Sequence, residues 1–517
     1  MKNMRSVIIS CALALALAAP VGFAAFAAPA RAAAPALIRI GLEQNFKGAA
    51  RIPLDNSQIE IGFSNPGNFT PEATLTAKTG FAVAPADAWF ISSGAAYPTY
   101  GDALAAVLPG FFPAYTQNGW TLYGGPFATP QDAAAAKAGG KIAGPAGCRV
   151  ALYDGEGIAA VFDNPGAPVL INGPQTHYIS LGGRTYRGVV EFSRVSGGGG
   201  ITPVNIIPLE QYLYSVVPSE MPKDWPAEAL KAQAVAARTY TAYMAAGGRH
   251  SAGGYDLCDA VHCQSYTGFA GENPATNRAV DETAGVMTYY NNQPIQAVYF
   301  GSDGGATQNS EDVWTQALPY LRSVPDTYQT EYKTWTRSFT LDDIQNCLAR
   351  AGYDIGGATG VSVGSLSPAG YVASLVISGT AGSQTLTGSE IRAFFSPTDL
   401  GSLPSACFTI GPSAAPGQSA PLYVCGASGA AGSAPSDFSV MGADSVAGGV
   451  AAVYVMGADS VADYPLINPP AAGVITFSGK GAGHGAGMSQ YGAKGMAQAG
   501  FGYRQILEYY YTGVDVR

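Results

Sequence analysis

Apolar and polar residues alternate near the start of the chain, and this pattern predicts short β-strands. Between residues 36 and 63 the alternation appears in "ALIRIGLEQ" and "SQIEIGF". Further strands are predicted in "RVALYD", "PVLING" and "RTYRGVVEF", between residues 149 and 192, where glycine and proline separate the apolar runs. The long run "ITPVNIIPLEQYLYSVV" (residues 201–217) predicts another strand.

The period of the pattern changes after residue 224 and predicts a helix. Asp224 is a plausible N-cap, Pro226 lies in the first turn, and Gly247-Gly248 ends the helix. One face consists mostly of small residues at spacings of three and four: Leu230, Ala234, Ala237, Thr241 and Met244. Such a face allows close packing, so we predict an α+β fold, mixed and strand-rich, around a central alanine-rich helix.

Residues 70–145 contain a weak internal repeat. "GAAYPTYGDA" and "GGPFATPQDA" match at an offset of 30 residues, and each half predicts a strand, a glycine turn and a helix. This segment resembles a SPOR-type glycan-binding domain; a small α/β spacer is the alternative. We expect it to be inserted into a main region formed by residues 36–65 and 149–517.

Two other segments differ from the main region in composition. Residues 1–32 begin with two cations, Lys2 and Arg5, followed by an apolar run too short to span a bilayer and a final Ala-Arg-Ala, which together predict a signal peptide. Residues 411–470 are rich in Ala, Gly, Ser and Pro and contain "VMGADSVA" twice, which predicts a surface excursion within the main region. We expect an exported chain, in the cell wall or periplasm, with no membrane-spanning segment after signal removal.

The charge of the chain argues against nucleic acid as a partner. The net charge is −9, and residues 1–32 carry three cations and no acid, so the exported chain would carry −9 − 3 = −12. A surface with this excess of acid repels phosphate backbones and anionic membranes.

Several long motifs occur in one order between residues 186 and 517. They are "YRG", "VNIIPLEQYLYSVVPSEMPKDWPAEALKAQAVAARTY", "CDAVHCQSYTG", "AVYFGSDGGATQNSEDVW" and "GKGAGHGAGMSQYGAKGMAQAG". With them the chain resembles the SpoIID/LytB family of exported, peptidoglycan-acting proteins. The resemblance implies a lytic transglycosylase that cleaves glycan strands between N-acetylmuramic acid and N-acetylglucosamine, with the acid of "PSEM", Glu220, as catalyst. It implies no redox or nucleotide cofactor.

Glu220 has the chemistry that glycan cleavage requires. A carboxylic acid protonates the leaving oxygen, and the same group, once ionised, takes the proton of the muramyl 6-hydroxyl as that hydroxyl closes onto the anomeric carbon. Met221, Pro222 and Trp225 would raise the pKa of Glu220 by desolvation, whereas a nearby helix N-terminus would lower it. The alternative is that Glu220 only caps a helix or forms a local ion pair.

Other residues are predicted to support this acid. Arg238 lies among alanines, so its charge is either paired in a salt bridge or turned toward a ligand; the family pattern also has an arginine here. Glycine-rich loops allow a backbone to approach a sugar closely. We therefore predict substrate-binding residues on two such loops: Ser302, Gly304, Gly305, His484, Ser489 and Gln490.

"HSAGGYDLCDAVHC" contains four residues that zinc prefers as ligands, namely His250, Cys258, His262 and Cys263. Some relatives carry zinc at this loop, and a fully coordinated ion would be structural. A Cys258–Cys263 disulfide is the other interpretation in an exported protein. The remaining functional alternatives are a non-catalytic activator of a cell-wall amidase and a wall protein that binds glycan without cutting it.

Overall fold

The computed structural model describes residues 35–411 and 474–517, apart from 64–65, 137–140, 175–177, 195–198, 261 and 396–401. The predicted signal peptide lies outside the described residues. Of the predicted excursion, the structure describes residue 411 and four short strands, Tyr423–Cys425, Ala431–Ser433, Ala452–Gly457 and Ser460–Pro465. Within the described residues, no helix combines the length and apolarity needed to cross a membrane.

A seven-stranded sheet joins the beginning of the described chain to its middle. Its central pairings are antiparallel, with Leu37–Gly41 against Val204–Pro208 and Gln58–Gly62 against Val169–Asn172. The strand predictions for residues 36–63 are therefore confirmed. In spatial order the strands are Leu257–Cys258, Leu37–Gly41, Val204–Pro208, Val189–Phe192, Val169–Asn172, Gln58–Gly62 and Ala73–Thr76.

A ten-stranded sheet contains the repeat. Its order is Arg184–Arg187, Tyr178–Leu181, Ile52–Leu54, Phe81–Pro85, Val150–Asp154, Gly157–Asp163, Phe111–Thr116, Gly119–Phe127, Trp89–Ser92 and Lys141–Ala143. The two predicted helices are confirmed as Tyr100–Ala105 and Pro130–Ala135, capped in the same way by Thr99 and Thr129. The sheet combines strands from residues 70–145 with strands from outside that segment. The likeness to a SPOR-type domain stays a prediction.

The prediction of one strand over residues 201–217 is wrong in its second half. The strand ends at Pro208, and a helix, Leu209–Glu220, follows directly. Its buried apolar residues recur at spacings of one, three and four, as on one side of a helix: Leu209, Tyr212, Leu213, Val216 and Val217. Their aromatic and β-branched composition favours strands, but burial against neighbouring helices overrides that local preference. We refer to this element as the Glu220 helix.

The predicted alanine-rich helix is observed over Ala227–Gly247. Its N-cap is Pro226, so the prediction of Asp224 as the cap is wrong; the predicted end is confirmed by Gly248, which has a left-handed φ of 61°. All five residues of the predicted small face are buried. The helix packs against four others, Leu209–Glu220, Pro274–Asp281, Gln490–Gln498 and Tyr503–Tyr510. Alanine side chains let these helices approach closely.

Residues 334–395, 402–411 and 474–480 form a unit with its own hydrophobic cluster, which we call the satellite unit. One of its sheets has the order Thr334–Thr340, Val474–Lys480 and Phe408–Ile410, and the other has the order Ala358–Leu366, Val372–Gly379 and Ser383–Thr387. Its helices are Leu341–Ala351 and Ser389–Phe395. The polypeptide leaves this unit at Lys480 and continues directly into the second glycine-rich loop.

The remaining elements are short. Tyr299–Phe300 pairs in parallel with Met488–Ser489, which brings the two glycine-rich loops side by side. A three-stranded sheet has the order Gln293–Pro294, Thr288–Tyr290 and Asp515–Val516. The other helices are Glu43–Phe46, Ser310–Val313 and the 3₁₀ turns Pro66–Asn68, Ser251–Gly253 and Phe269–Gly271.

Candidate active site

Glu220 is the last residue of its helix and lines a cavity of about 380 Å³. The cavity lies between the Glu220 helix, the alanine-rich helix and the loops that follow them. Its lining residues are mostly aromatic or polar: Glu220, Tyr240, Arg249, His262, Cys263, Gln296, Val298, Tyr299, Trp314 and His484. Glu220 is the single carboxylate among them. Thus Glu220, His262, Cys263 and His484, four residues singled out from the sequence, meet at one cavity.

Three groups hydrogen-bond to the Glu220 carboxyl group: the Ser265 backbone N–H, the Gln490 side chain and the Tyr299 hydroxyl. Gln490 Nε2 also donates to Gln233 Oε1 at 3.3 Å, and its second proton is left for Glu220. Gln490, which the sequence predicts as a substrate-binding residue, thus contacts the acid itself. Backbone and side chain together fix the direction in which the carboxyl group points.

The orientation of the Tyr299 hydroxyl follows from its neighbour Gln264. Gln264 Nε2 lies 3.3 Å from the Ala237 carbonyl oxygen, which can only accept, and Gln264 Oε1 accepts from the Tyr212 hydroxyl at 3.1 Å. The amide orientation is therefore fixed, and Nε2 donates to the Tyr299 oxygen at 3.0 Å. With its oxygen accepting from Gln264, Tyr299 directs its own proton toward Glu220.

The pKa of Glu220 is raised above its ordinary value. Burial of the carboxyl group is the largest cause, and the hydrogen bonds from Ser265, Gln490 and Tyr299 oppose it. Glu220 also lies at the C-terminal end of its helix, where the backbone dipole disfavours negative charge. The adjacent Met221 is fully buried and contributes to the apolar surroundings. Burial therefore favours the protonated form of this acid.

His484 faces the same cavity as a neutral imidazole. Its Nδ1 accepts from the Ala486 backbone N–H at 3.1 Å, and its ring also hydrogen-bonds to the Tyr299 backbone. Burial lowers the pKa of His484 to about 4, and the charge of Arg392 adds to this effect. The ring lies between Phe300 and Trp314, with centroids 5.5 and 5.0 Å away. With both nitrogens bonded to the backbone, His484 presents mainly the face and edge of its ring to the cavity.

His250, Cys258, His262 and Cys263 form a compact cluster at one side of the cavity. Their ligand atoms all lie within 4.8 Å of one another. His250 Nε2 is 3.2 Å from Cys263 Sγ, and His262 Nδ1 is 3.5 Å from both sulfur atoms. Ligands around a tetrahedral zinc ion are separated by roughly 3.3–3.8 Å. The donor set and its spacing therefore fit zinc, and both cysteines are free thiols.

The surroundings of the cluster also suit a metal. Glu43 Oε1 lies 4.0 Å from His250 Nδ1, the nitrogen that would face away from an ion. The same Glu43 oxygen accepts a hydrogen bond from the Tyr255 hydroxyl. A carboxylate behind a ligating histidine fixes the ring and its tautomer. The polypeptide continues from Cys263 directly to Gln264 and Ser265, which orient Tyr299 and Glu220. The cluster thus anchors the segment that positions the acid.

Arg238 lies away from the lining of the cavity. Its fully buried guanidinium forms a two-point ion pair with Glu210, with Nη2–Oε2 2.6 Å and Nε–Oε1 2.9 Å. It also donates to the Val286 and Val280 carbonyl oxygens. The sequence left open whether Arg238 forms a salt bridge or faces a ligand, and the structure shows the salt bridge. Its partner Glu210 lies in the first turn of the Glu220 helix. Arg238 therefore joins that helix to the alanine-rich helix and acts as a positioning residue.

The other predicted binding residues occupy different places. Ser489 is the N-cap of helix Gln490–Gln498, and Ser302 accepts from Gln329 Nε2 at 3.0 Å in the interior. The Gly305 backbone N–H donates a hydrogen bond to Asp303 Oδ1 at 2.8 Å. Gly304 lines a different cavity, between this loop and the satellite unit. None of these four belongs to the described lining of the Glu220 cavity.

Sequence reasoning missed several residues that complete the site. Tyr299 and Gln264 stand inside motifs quoted above, but neither is distinguished by local spacing. Tyr240, Arg249 and Trp314 line the cavity from three separate elements. The nearest sequence signal concerns Tyr240, which lies two residues after Arg238 on the alanine-rich helix. In the structure Tyr240 packs against the two main hydrophobic clusters.

Comparisons with known proteins identify relatives of this chain. A family model described as SpoIID, stage II sporulation protein, matches residues 197–290, which include the Glu220 helix, the alanine-rich helix and the Cys/His cluster. Stage II sporulation protein D of Bacillus amyloliquefaciens is 31% identical over 330 residues, covering 60% of this chain and 75% of that protein. Its Bacillus subtilis counterpart is 30% identical over 330 residues with the same coverage. An amidase enhancer of Bacillus subtilis is 31% identical over 343 residues, covering 65% of this chain and 45% of the enhancer.

Proposed function

Because the chain belongs to the stage II sporulation protein D family, we propose that it is a peptidoglycan lytic transglycosylase in which Glu220 is first the general acid and then the general base. The substrate is the glycan strand, cleaved between N-acetylmuramic acid and N-acetylglucosamine. The chain acts outside the cytoplasm, where this polymer is found.

One observation carries the proposal: Glu220 is the single carboxylate among the described residues that line its cavity. Retaining and inverting glycosidases generally use two carboxylates, one as acid and the other as nucleophile or base. A site with one carboxylate needs a nucleophile from the substrate itself. The 6-hydroxyl of the muramyl residue supplies it, and the product then ends in a 1,6-anhydro ring.

The contacts of Glu220 suit both steps. Burial raises the pKa of the carboxyl group, so that a proton is available for the leaving oxygen. After this transfer the carboxylate remains hydrogen-bonded to the Tyr299 hydroxyl, the Ser265 N–H and Gln490, which stabilise its negative charge. The carboxylate next accepts the proton of the muramyl 6-hydroxyl, and the starting protonation state returns.

Zinc has a structural role in this proposal. His250, Cys258, His262 and Cys263 would hold the ion and leave it no open position, so it would stabilise the segment that continues to Gln264 and Ser265. Every chemical step is assigned to protein and substrate groups.

A second function is favoured by one comparison. Because the chain resembles an amidase enhancer over 343 residues, it is a candidate activator of a cell-wall amidase. In that case the Glu220 cavity would bind glycan while the partner enzyme cleaves the wall. The presence of a half-buried acid with a raised pKa favours the catalytic proposal, since a surface that only recruits a partner does not need one.

Mass spectrometry of products formed in ¹⁸O-labelled water tests the proposal. The purified exported chain is incubated with intact and with peptide-stripped glycan strands. Unlabelled fragments, each one water lighter than the corresponding hydrolysis product, are expected. Labelled reducing ends would identify a hydrolase, and an absence of fragments from both substrates, with stimulation of an added amidase, would favour the activator.

A further inference from the structure

Two buried carboxyl groups meet behind the first glycine-rich loop, and the functional proposal above does not use them. Asp303 lies on this loop, and Asp326 lies on the segment that runs back beside it, where the Asp326 N–H donates to the Gly305 carbonyl oxygen at 3.0 Å. Both side chains are fully buried. Asp303 Oδ2 has no donor from the described residues, and the Asp326 carboxyl group is close enough to hydrogen-bond to Asp303. Two carboxylates can only accept, so a proton must lie between them.

The surroundings of this pair supply no positive charge. Burial and the Asp326 charge raise the pKa of Asp303, and no cation of the described chain opposes them. The other titratable groups that face the pair are uncharged below their own pKa values, which burial raises: Tyr332, Tyr371, Cys407, Tyr509 and Tyr510. Lys333 and Lys480, on the adjoining segments, are exposed and extend over the rings of Tyr491 and Tyr332. Without its proton the pair would thus be two buried charges with no compensating partner.

One side chain, Gln329, connects both acids to the second glycine-rich loop. Its backbone N–H donates to Asp326 Oδ1 at 3.2 Å. Its Oε1 accepts from the Asp303 N–H at 3.2 Å and from Ser489 Oγ at 3.1 Å, while its Nε2 donates to Ser302 Oγ at 3.0 Å. All these groups are buried, so water does not replace a contact that is lost. The position of Gln329 therefore depends on both acids, and the position of Ser489 depends on Gln329.

Helix Gln490–Gln498, which Ser489 caps, also packs directly on Asp326. A Cβ atom on Gly492 would lie 2.0 Å from Asp326 Oδ2 and 2.0 Å from the Tyr510 hydroxyl oxygen, so the helix has no space between itself and the acid. Tyr510 donates to the same Asp326 oxygen at 2.9 Å. The first residue of this helix, Gln490, hydrogen-bonds to the Glu220 carboxyl group. A continuous set of buried contacts thus leads from the acid pair to Glu220.

We propose that the Asp303–Asp326 pair is a proton latch, which holds helix Gln490–Gln498 in place at the Glu220 site while the pair keeps its proton and releases the helix when the proton leaves. Two adjacent buried carboxylates repel each other, so loss of the proton drives the loop that contains Asp303 away from Asp326. Gln329 then loses one of the acids that position it, and Ser489 and Gln490 lose their fixed place. The latch makes the surroundings of Glu220 sensitive to pH independently of the titration of Glu220 itself.

Hydrogen exchange followed by mass spectrometry tests the latch without any substrate. The exchange of helix Gln490–Gln498 is measured at about pH 5 and about pH 8, with strand Val204–Pro208 of the seven-stranded sheet as the reference. All rates are corrected for the direct effect of pH on exchange chemistry. The unmodified chain is compared with Asp303→Asn, whose amide can donate to Asp326 but does not titrate. Asp342→Asn, which removes an exposed carboxylate from the satellite unit, is the control.

In the unmodified chain, protection of the helix should fall by more than about tenfold between the two pH values. An opened state in which Asp303 titrates as an ordinary aspartate, with a pKa of about 3.9, gains up to about tenfold in population per pH unit until the folded pKa of about 8 is reached. At the higher pH the helix should exchange faster than the reference strand, since the opening is local. Asp303→Asn should lose this pH dependence, and Asp342→Asn should keep it.

Three results would each overturn the latch. The first is equal protection of the helix at both pH values in the unmodified chain. The second is a helix that exchanges no faster than the reference strand, because the pair would then affect only global unfolding. The third is parental pH dependence in Asp303→Asn. The first two results need no variant, so the test holds even if Asp303→Asn does not fold, and none of the three depends on whether the chain cleaves glycan.

Discussion

The Tyr299 hydroxyl is hydrogen-bonded to the Glu220 carboxyl group, and Gln264 occupies its acceptor side at 3.0 Å. Tyr299 follows Glu220 by 79 residues in the chain, so this pair is formed only by the fold. Tyr299 stabilises the charged form of the acid, whereas burial stabilises the neutral form. The balance between these two effects sets the proton affinity on which the proposed chemistry depends.

Removing the Tyr299 hydroxyl should shift the pH dependence of glycan cleavage. In Tyr299→Phe the carboxylate loses a donor, so the pKa of Glu220 rises further and the alkaline limb of the rate profile moves to higher pH. The maximal rate should fall about tenfold, because the base step loses a stabilising contact. Tyr240→Phe, which alters a lining residue outside the Glu220 hydrogen bonds, should leave the limb in place. An unshifted limb in Tyr299→Phe would argue against this contact.

The unmodified chain should lose activity as the pH rises through the pKa of Glu220. The general acid must carry a proton, and its folded pKa is raised, so the protonated fraction falls at a higher pH than for an exposed glutamate. Initial rates on soluble glycan strands across the pH range measure this limb. A rate that is independent of pH, from acid conditions to well above neutrality, would contradict the assignment.

Loss of Arg238 should unfold the protein rather than change its chemistry. Removing the buried Arg238 guanidinium leaves the half-buried Glu210 and the Val280 and Val286 carbonyl oxygens without this donor, and should lower the free energy of unfolding by about 2–3 kcal/mol. Urea unfolding of Arg238→Leu measures this change. Arg238→Lys, which keeps the charge, should be less destabilised, and its folded fraction should keep the parental pH profile. A stable Arg238→Leu with an altered profile would indicate a direct role in catalysis.

The Cys/His cluster should contain one zinc ion per chain. Elemental analysis of protein purified without added metal measures the content, and removal by a chelator should lower the melting temperature because ion binding favours the folded state. Alkylation in denaturant after chelation should label both Cys258 and Cys263. A metal-free protein in which these two thiols resist alkylation until a reductant is added would instead show the disulfide.

A buried pair of acids should make the free energy of unfolding fall as the pH rises from acid toward neutral and slightly alkaline values. Asp303 and Asp326 are both fully buried, and burial together with the Asp326 charge raises the pKa of Asp303 to about 8. An unfolded aspartate has a pKa of about 3.9, so between these values the folded state holds a proton that the unfolded state releases. The free energy of unfolding should therefore decline from about pH 4 to about pH 8.

Asp303→Asn isolates this effect, since the amide keeps a donor toward Asp326 but does not titrate. Urea unfolding at about pH 5 and about pH 8 should show a larger loss for the parent than for the variant. Equal losses would mean that Asp303 does not hold the proton.

Local features of the chain were predictable where the determining residues are neighbours. Gly248 ends the alanine-rich helix, Thr99 and Thr129 cap the repeated helices, and three of the four cluster ligands lie within six residues. For most of the Glu220 helix the sequence predicts a strand, because aromatic and β-branched residues have strand preference and the apolar run does not reveal its period.

The surroundings of the acid could not be predicted in the same way. Ser265, Tyr299 and Gln490 reach Glu220 from three different elements, and no spacing in the sequence relates them. For Arg238, the sequence indicated a charge that needs a partner, and only the packing of two helices identified Glu210.

The most direct test of the central claim compares Glu220→Gln with Asp224→Asn, an exposed acid four residues away. Both are incubated with glycan strands, and binding and released fragments are measured together. The account predicts that Glu220→Gln binds glycan normally and releases no anhydro-ended fragments, whereas Asp224→Asn releases them like the parent. A Glu220→Gln protein that still cleaves at the parental rate would contradict it.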